Sequence, residues 1–176
     1  MRSSLIMFDE LNDDDVSVLI DSCEKLHFNA QDVVIDYGQK GKGIFIILQG
    51  QCRVETAVGL YMDTLQSGDI VGEVSFVDQR NTVAKVIALG DLTTAVVYEH
   101  GLRAWIRKDS DFASRFYLGV ARTLAYRLRL NMQIALHKGA NVFASENEFS
   151  NQIDVDDLDA MTIAGTRLAY FLKRLL

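Results

Sequence analysis

An α+β fold is what this sequence predicts: a β jelly-roll barrel with an N-terminal helix, a short helix inside the barrel stretch, a long helix after it and one further terminal helix. Three observations carry that expectation. Short β-rich runs separated by glycine turns fill the chain from His27 to about Tyr98. The segments on either side repeat their apolar residues at helical spacing. One interval, 72–82, breaks the strand pattern and has the layout of a site.

Taken in order, 8–26 reads as a helix. Asn12 or Asp13 can cap it, the acids Asp13 to Asp15 suit its first turn, and Val16, Leu19, Ile20 and Cys23 share one face. Strands are predicted over 33–37, 43–48, 51–57, 60–65, 84–89 and 93–98. The chain has no proline, so its turns fall to Asn, Asp and the glycines at 41, 43, 50, 59, 68 and 90. A short helix is expected over 101–107, and Asp109, Ser110 and Asp111 offer caps for a long one reaching His137. Its apolar positions Phe116, Val120, Leu124, Leu128 and Met132 recur every four residues. At ~1.5 Å per residue such a helix runs to roughly 40 Å. That is longer than one small barrel can cover, so the stripe is either core packing or a seam with a second copy. Residues 139–152 read as a polar linker, and 153–176 as a helix striped by Leu158, Met161, Leu168, Phe171, Leu172 and Leu175. The expected organisation is a domain over 8–138, that linker and the terminal helix.

Composition narrows the function. With 49% hydrophobic and 24% charged residues the chain is of globular type, and no apolar run approaches a membrane span. A cytoplasmic protein without a membrane partner is expected. Net charge is −6, with eight Lys/Arg against two acids over 101–138 and six acids over 139–176, a pattern that favours internal neutralisation over nucleic acid. Only one helix follows the linker, and its surroundings are acidic, so no helix-turn-helix and no DNA contact is expected. His27, His100 and His137 lie far apart, Cys23 and Cys52 lack metal-ligand spacing, and no Ser-His-Asp set is visible. The reading is therefore of a non-enzyme without metal or resident cofactor.

The site candidate lies in 67–82. Gly72 permits close backbone approach, and the helix start that follows favours an anion. A carboxylate would repel a phosphate, so Glu73 suits a neutral hydroxyl such as that of a ribose. Arg80 is the cation within reach in sequence. Gly72-Glu73-Val74-Ser75-Phe76, the lead-in from Leu65 to Asp69, and the strand–turn–strand from Gly43 to Val54 resemble cyclic nucleotide-binding domains over about 8–129.

The resemblance implies a catabolite-activator-type sensor half with a divergent phosphate-binding cassette. Backbone N–H groups of Gly72, Glu73, Val74 and Ser75 would hold a cyclic phosphate, Glu73 the ribose hydroxyl, and Arg80 the charge, with Thr82 and Val83 lining the pocket. Counting from Gly72 puts the family's arginine at Thr82; the sequence Ser-Phe-Val-Asp-Gln-Arg is similar to a bacterial subgroup. Counting likewise puts Arg127 and Leu128 near the base. The implied function is a regulatory, signal-transducing module for cyclic AMP (cAMP) or cyclic GMP (cGMP) with weak or altered affinity, a homodimer through 111–137. The alternatives are a ligand-free module that binds a protein partner, and a sensor of another anionic nucleotide such as a cyclic dinucleotide.

Overall fold

The computed structural model describes residues 3–139 and 155–176, with side-chain surroundings over 3–133 and 162–176. The elements are α1 (Ser3–Glu10), α2 (Asp13–Ser22), β1 (Glu24–Phe28), β2 (Val33–Ile35), β3 (Gly43–Gln49), β4 (Gln51–Glu55), β5 (Tyr61–Gln66), β6 (Ile70–Val71), α3 (Glu73–Asp78), β7 (Lys85–Ala88), β8 (Leu92–Tyr98), α4 (Glu99–Lys108), α5 (Ser110–Gly139) and α6 (Val155–Leu175). The eight strands form two antiparallel four-stranded sheets, ordered β1-β8-β3-β6 and β2-β7-β4-β5. This corrects the expected barrel in one respect: the strands face each other as a two-sheet β-roll that does not close.

β3 explains the layering. Its run Ile44-Phe45-Ile46-Ile47-Leu48 is buried throughout because both of its faces are covered. Phe45 and Ile47 enter the core between the sheets with Cys52, Leu65, Val86 and Val96. Ile44, Ile46 and Leu48 face the helices, packing with Phe8, Phe112, Phe116 and Phe171. Cys23 and Cys52 are free, and burial pushes the Cys52 thiol up to about 12, which leaves it an inert core residue.

The expected first helix is two. Asn12 accepts from the Asp15 N–H at 2.8 Å while the Asp15 carboxylate accepts from the Asn12 N–H at 2.9 Å, a capping box that starts α2 afresh. Asp15 also holds Arg115 of α5 through two bonds of 2.7 and 2.9 Å. Residues 24–26, read from sequence as the end of the first helix, pair with β8 instead as the start of β1, where the cross-strand ladder outweighs their helical pattern. β6 has two residues and was too short to register as a periodic run.

The 139–152 linker expectation falls, apart from Gly139, outside the described residues. α6 docks on α1 and α2: Phe171 meets the Phe8 ring edge-on at 5.3 Å, and Arg167 bonds Asp13 at 2.7 Å. Leu168 and Phe171 are buried and Ile163 and Tyr170 exposed, so the stripe from Leu168 onward faces this domain's own helices, while the side chains of Leu158 and Met161 fall outside the described residues. Phe171→Ala is expected to cost about 3–5 kcal/mol by opening a cavity. Ile163→Ala, on the outer face, should stay within about 0.5 kcal/mol; urea denaturation of both variants checks the contrast.

Candidate functional site

Local chemistry builds the site from β6 onward. Gly72 has φ 96°, a left-handed conformation, and the carbonyl of Gly43 occupies the space a Cβ would need. This close approach turns the chain from β6 into α3 and lays the β2–β3 loop against it. An ideal Cβ on Gly41 would stand 3.1 Å from the Ser75 Cβ. α3 ends at Gln79, itself left-handed at φ 58°, whose N–H returns to the Ser75 carbonyl at 3.1 Å. From α4, Arg103 donates to the Phe76 carbonyl at 2.6 Å and lies over the Phe76 ring, fixing the helix from outside.

Glu73 is buried, 1% exposed. Arg127 of α5 donates to its Oε1, to the Ile70 carbonyl at 2.5 Å and to the Ser3 hydroxyl at 3.2 Å. Ser3 in turn accepts from the Ile70 N–H at 3.0 Å and donates to Asp69 at 3.2 Å. Burial pushes the Glu73 carboxyl up, and the Arg127 charge pulls it part of the way back. Oε2, the second carboxylate oxygen, is buried without a hydrogen-bond partner among the described residues.

Thr82, at the position counted for the family's arginine, is buried. Its hydroxyl donates to the Asp36 carbonyl at 2.5 Å and accepts from the Gln39 N–H at 3.0 Å. Its backbone completes the link: Gly38 N–H to the Thr82 carbonyl at 2.9 Å, and Thr82 N–H to the Gln39 carbonyl at 2.8 Å. Thr82 thus staples the β2–β3 loop to the segment after α3.

Two cavities meet here. One of about 360 Å³ lies beside α3 and α5, lined by Val54, Met62, Asp63, Glu73, Val74, Ser75, Val83, Arg127, Leu130 and Asn131 among others. The second, about 450 Å³, lies along the β2–β3 loop between Val33 and Phe45. Ile35, Gly72 and Thr82 line both. Of the residues singled out in the sequence, Gly72, Glu73, Val74, Ser75, Thr82 and Val83 surround the first cavity. Arg80 does not join them: it is exposed, lines neither cavity, and its side chain forms no ion pair among the described residues. Arg127 lines the cavity, whereas Leu128 is 61% exposed. Sequence reasoning missed Ser3, which lay ahead of the expected first helix, and the pairing of Arg127 with Glu73 across 54 residues. The latter's one signal was a basic residue within the apolar stripe of α5. Among the described residues no cluster of His, Cys, Asp or Glu can hold a metal, and no helix is long and apolar enough to cross a membrane.

A two-sheet roll with helices on one side, and a glycine–glutamate turn opening a short helix over a cavity, define a small-ligand-binding β-roll. Residues 25–109 match the model of the cyclic nucleotide-binding domain, and this part of the chain belongs to that family. The fold is similar to the regulatory subunit of a cAMP-independent protein kinase A from Trypanosoma brucei, at 22% identity and TM-score 0.60 over 75% of this chain and 45% of that one. It is also similar to the N-terminal domain of a transcriptional regulator from Streptomyces coelicolor, at 19% identity and TM-score 0.59 over 81% and 95% of the two chains. A third similar structure is the regulatory domain of Toxoplasma gondii protein kinase A with cAMP, at 18% identity and TM-score 0.58 over 72% and 46%. The chain spans less than half the length of the two kinase proteins. A search of the curated proteins returns no match.

Arg127→Met is expected to destabilise the domain by about 3 kcal/mol near neutral pH, at the low end for breaking a buried pair because Arg127 is 26% exposed. The variant leaves Glu73 buried without its counter-charge, with only a backbone hydrogen bond opposing the burial, which raises its folded-state pKa further above the ordinary 4.5. The folded variant therefore takes up a proton before the unfolded chain does, and the loss should shrink as pH falls toward that value. Urea titrations of wild type and variant at pH 5 and pH 8 measure the difference.

Proposed function

We propose that this domain is a non-catalytic regulatory module whose ligand is a cyclic nucleotide of the cAMP or cGMP kind, held beside α3 with altered affinity. The observation that carries the reading is Glu73 Oε2. It is a buried acceptor with no partner, and its residue lines a cavity of about 360 Å³, within the size range of small-ligand sites. A ligand hydroxyl donating to it would satisfy the oxygen without displacing Arg127 from Oε1. The apolar lining from Val54, Met62, Val74, Val83 and Leu130 suits a flat ring.

The altered affinity follows from charge. Among the described residues Asp63, Glu73 and Arg127 are the charged ones around this cavity, and Arg127 is already engaged by Glu73. Related structures differ in the same sense. The Toxoplasma domain is described with cAMP, the Trypanosoma subunit as cAMP-independent, and a Trypanosoma mutant bound to cAMP carries a glutamate-to-alanine change together with adjacent threonine-to-arginine and valine-to-alanine changes. This chain has Thr82-Val83 where counting places the family's arginine.

Pairing of two copies through α5 belongs to the same reading. Phe116 and Val120 are buried in the domain's own core, while Leu128 and Met132, farther along the same stripe, are 61% and 57% exposed. Their exposure leaves an apolar segment for a second α5 to cover.

Calorimetric titration with cAMP and cGMP tests the ligand. One nucleotide is expected to bind once per chain, and Glu73→Ala should weaken it by roughly 10- to 100-fold, the equivalent of about 1.5–3 kcal/mol for a bond to a charged group. No saturable heat up to millimolar nucleotide would overturn the reading in favour of a protein-binding module.

A further inference from the structure

The charges around the two adjoining cavities are divided. The cavity beside α3 has Asp63 and Glu73 against one arginine, Arg127, which is bound to Glu73, the Ile70 carbonyl and Ser3. The loop cavity has Lys40 and Lys42 against Asp36. Asp36 is partly engaged, accepting from the Tyr37 N–H at 3.0 Å and standing 3.8 Å from Lys85. Neither Lys40 nor Lys42 has an ion-pair partner among the described residues. An anion is therefore disfavoured on the Glu73 side and favoured on the loop side.

The loop is held against α3. Gly41, between the two lysines, packs on Ser75, and Gly43 packs on Gly72, the residue that opens α3. Thr82 fastens the same loop through Asp36 and Gln39, and the backbone of Lys40 bridges to Asn81. Gly72 and Thr82 line both cavities, so a ligand lying across them has Glu73 at one end and the lysine loop at the other.

We propose that Lys40 and Lys42 are the phosphate-recognising residues of this domain, with Thr82 as the positioning residue that holds their loop beside Gly72. The inference rests on the nucleotide reading and assigns the charge that neither Thr82 nor the exposed Arg80 brings to the cavities. The ligand class is a nucleotide whose sugar hydroxyl meets Glu73 and whose phosphate lies toward the β2–β3 loop. Because both lysines are exposed, the interaction should be strongly salt-dependent.

The test compares cAMP with adenosine, its counterpart without phosphate, by calorimetry on the full chain at low and moderate salt. Wild type should prefer cAMP at least fivefold, and the preference should shrink as salt rises. Lys40→Ala/Lys42→Ala should bind the two alike with adenosine affinity unchanged, and Lys40→Arg/Lys42→Arg should keep most of the preference. Arg80→Ala should behave as wild type. A Lys40→Ala/Lys42→Ala variant that retains the full preference overturns the assignment and leaves the nucleotide reading standing. Equal binding of adenosine and cAMP by wild type overturns phosphate recognition itself. If neither compound binds wild type, the nucleotide reading fails and takes the assignment with it.

Discussion

The pairing of Glu73 with Arg127 is the interaction on which the arrangement around the cavities depends. A carboxylate 1% exposed is costly without a counter-charge, and the counter-charge comes from a helix 54 residues away in sequence. Arg127 reaches it only because α5 lies along the roll, and α5 is held there by Phe112, Phe116 and Val120 in the helix-side core. The same guanidinium bonds the Ile70 carbonyl and Ser3, so one cation ties α3, β6, α1 and α5 together. Leaving Oε2 unpartnered is a local cost that the surrounding packing sustains.

A second constraint acts on the other side of Gly72. A larger residue there would collide with the Gly43 carbonyl and would have to adopt a left-handed backbone. This close contact, with the Thr82 bonds beside it, makes the β2–β3 loop part of the site. Arginine at position 82 would bring charge to the cavity but would remove the hydroxyl that now bonds Asp36 and Gln39. The local structure around Thr82 is thus complete in itself, with its hydroxyl used in both directions.

What the sequence disclosed follows the range of the interactions involved. The strands from β2 to β5, with β7 and β8, were legible because their β-rich runs end at glycine turns, and α5 because its stripe persists over many turns. The Gly72-Glu73 turn was legible as local chemistry. β1 was hidden because its partner, β8, lies some 70 residues on, and residues 24–26 by themselves continue the helical pattern of 8–26. The division of the first helix depended on Asn12 and Asp15 capping each other, which the run Asn12 to Asp15 allows but does not compel. Whether Arg80 or Arg127 met Glu73 was beyond local reading: Arg80 is the nearer along the chain, yet the left-handed turn at Gln79 directs the segment outward.

The position of α1 bears on how this protein is made. Ser3 and Ser4 bond Gly68 and Asp69, Thr123 and Arg127 reach back to Ser3, and Phe8 finds its ring partner in Phe171. On a ribosome the first helix therefore emerges before nearly everything that covers it. Met7, Phe8 and Leu11, all buried in the finished domain, must wait for the rest of the chain to be synthesised. Contacts of such sequence separation slow folding and prolong the exposure of apolar surface. α1 is translated ahead of most of its partners and is among the last elements to reach its native surroundings, so a nascent chain of this protein offers chaperones a binding segment there.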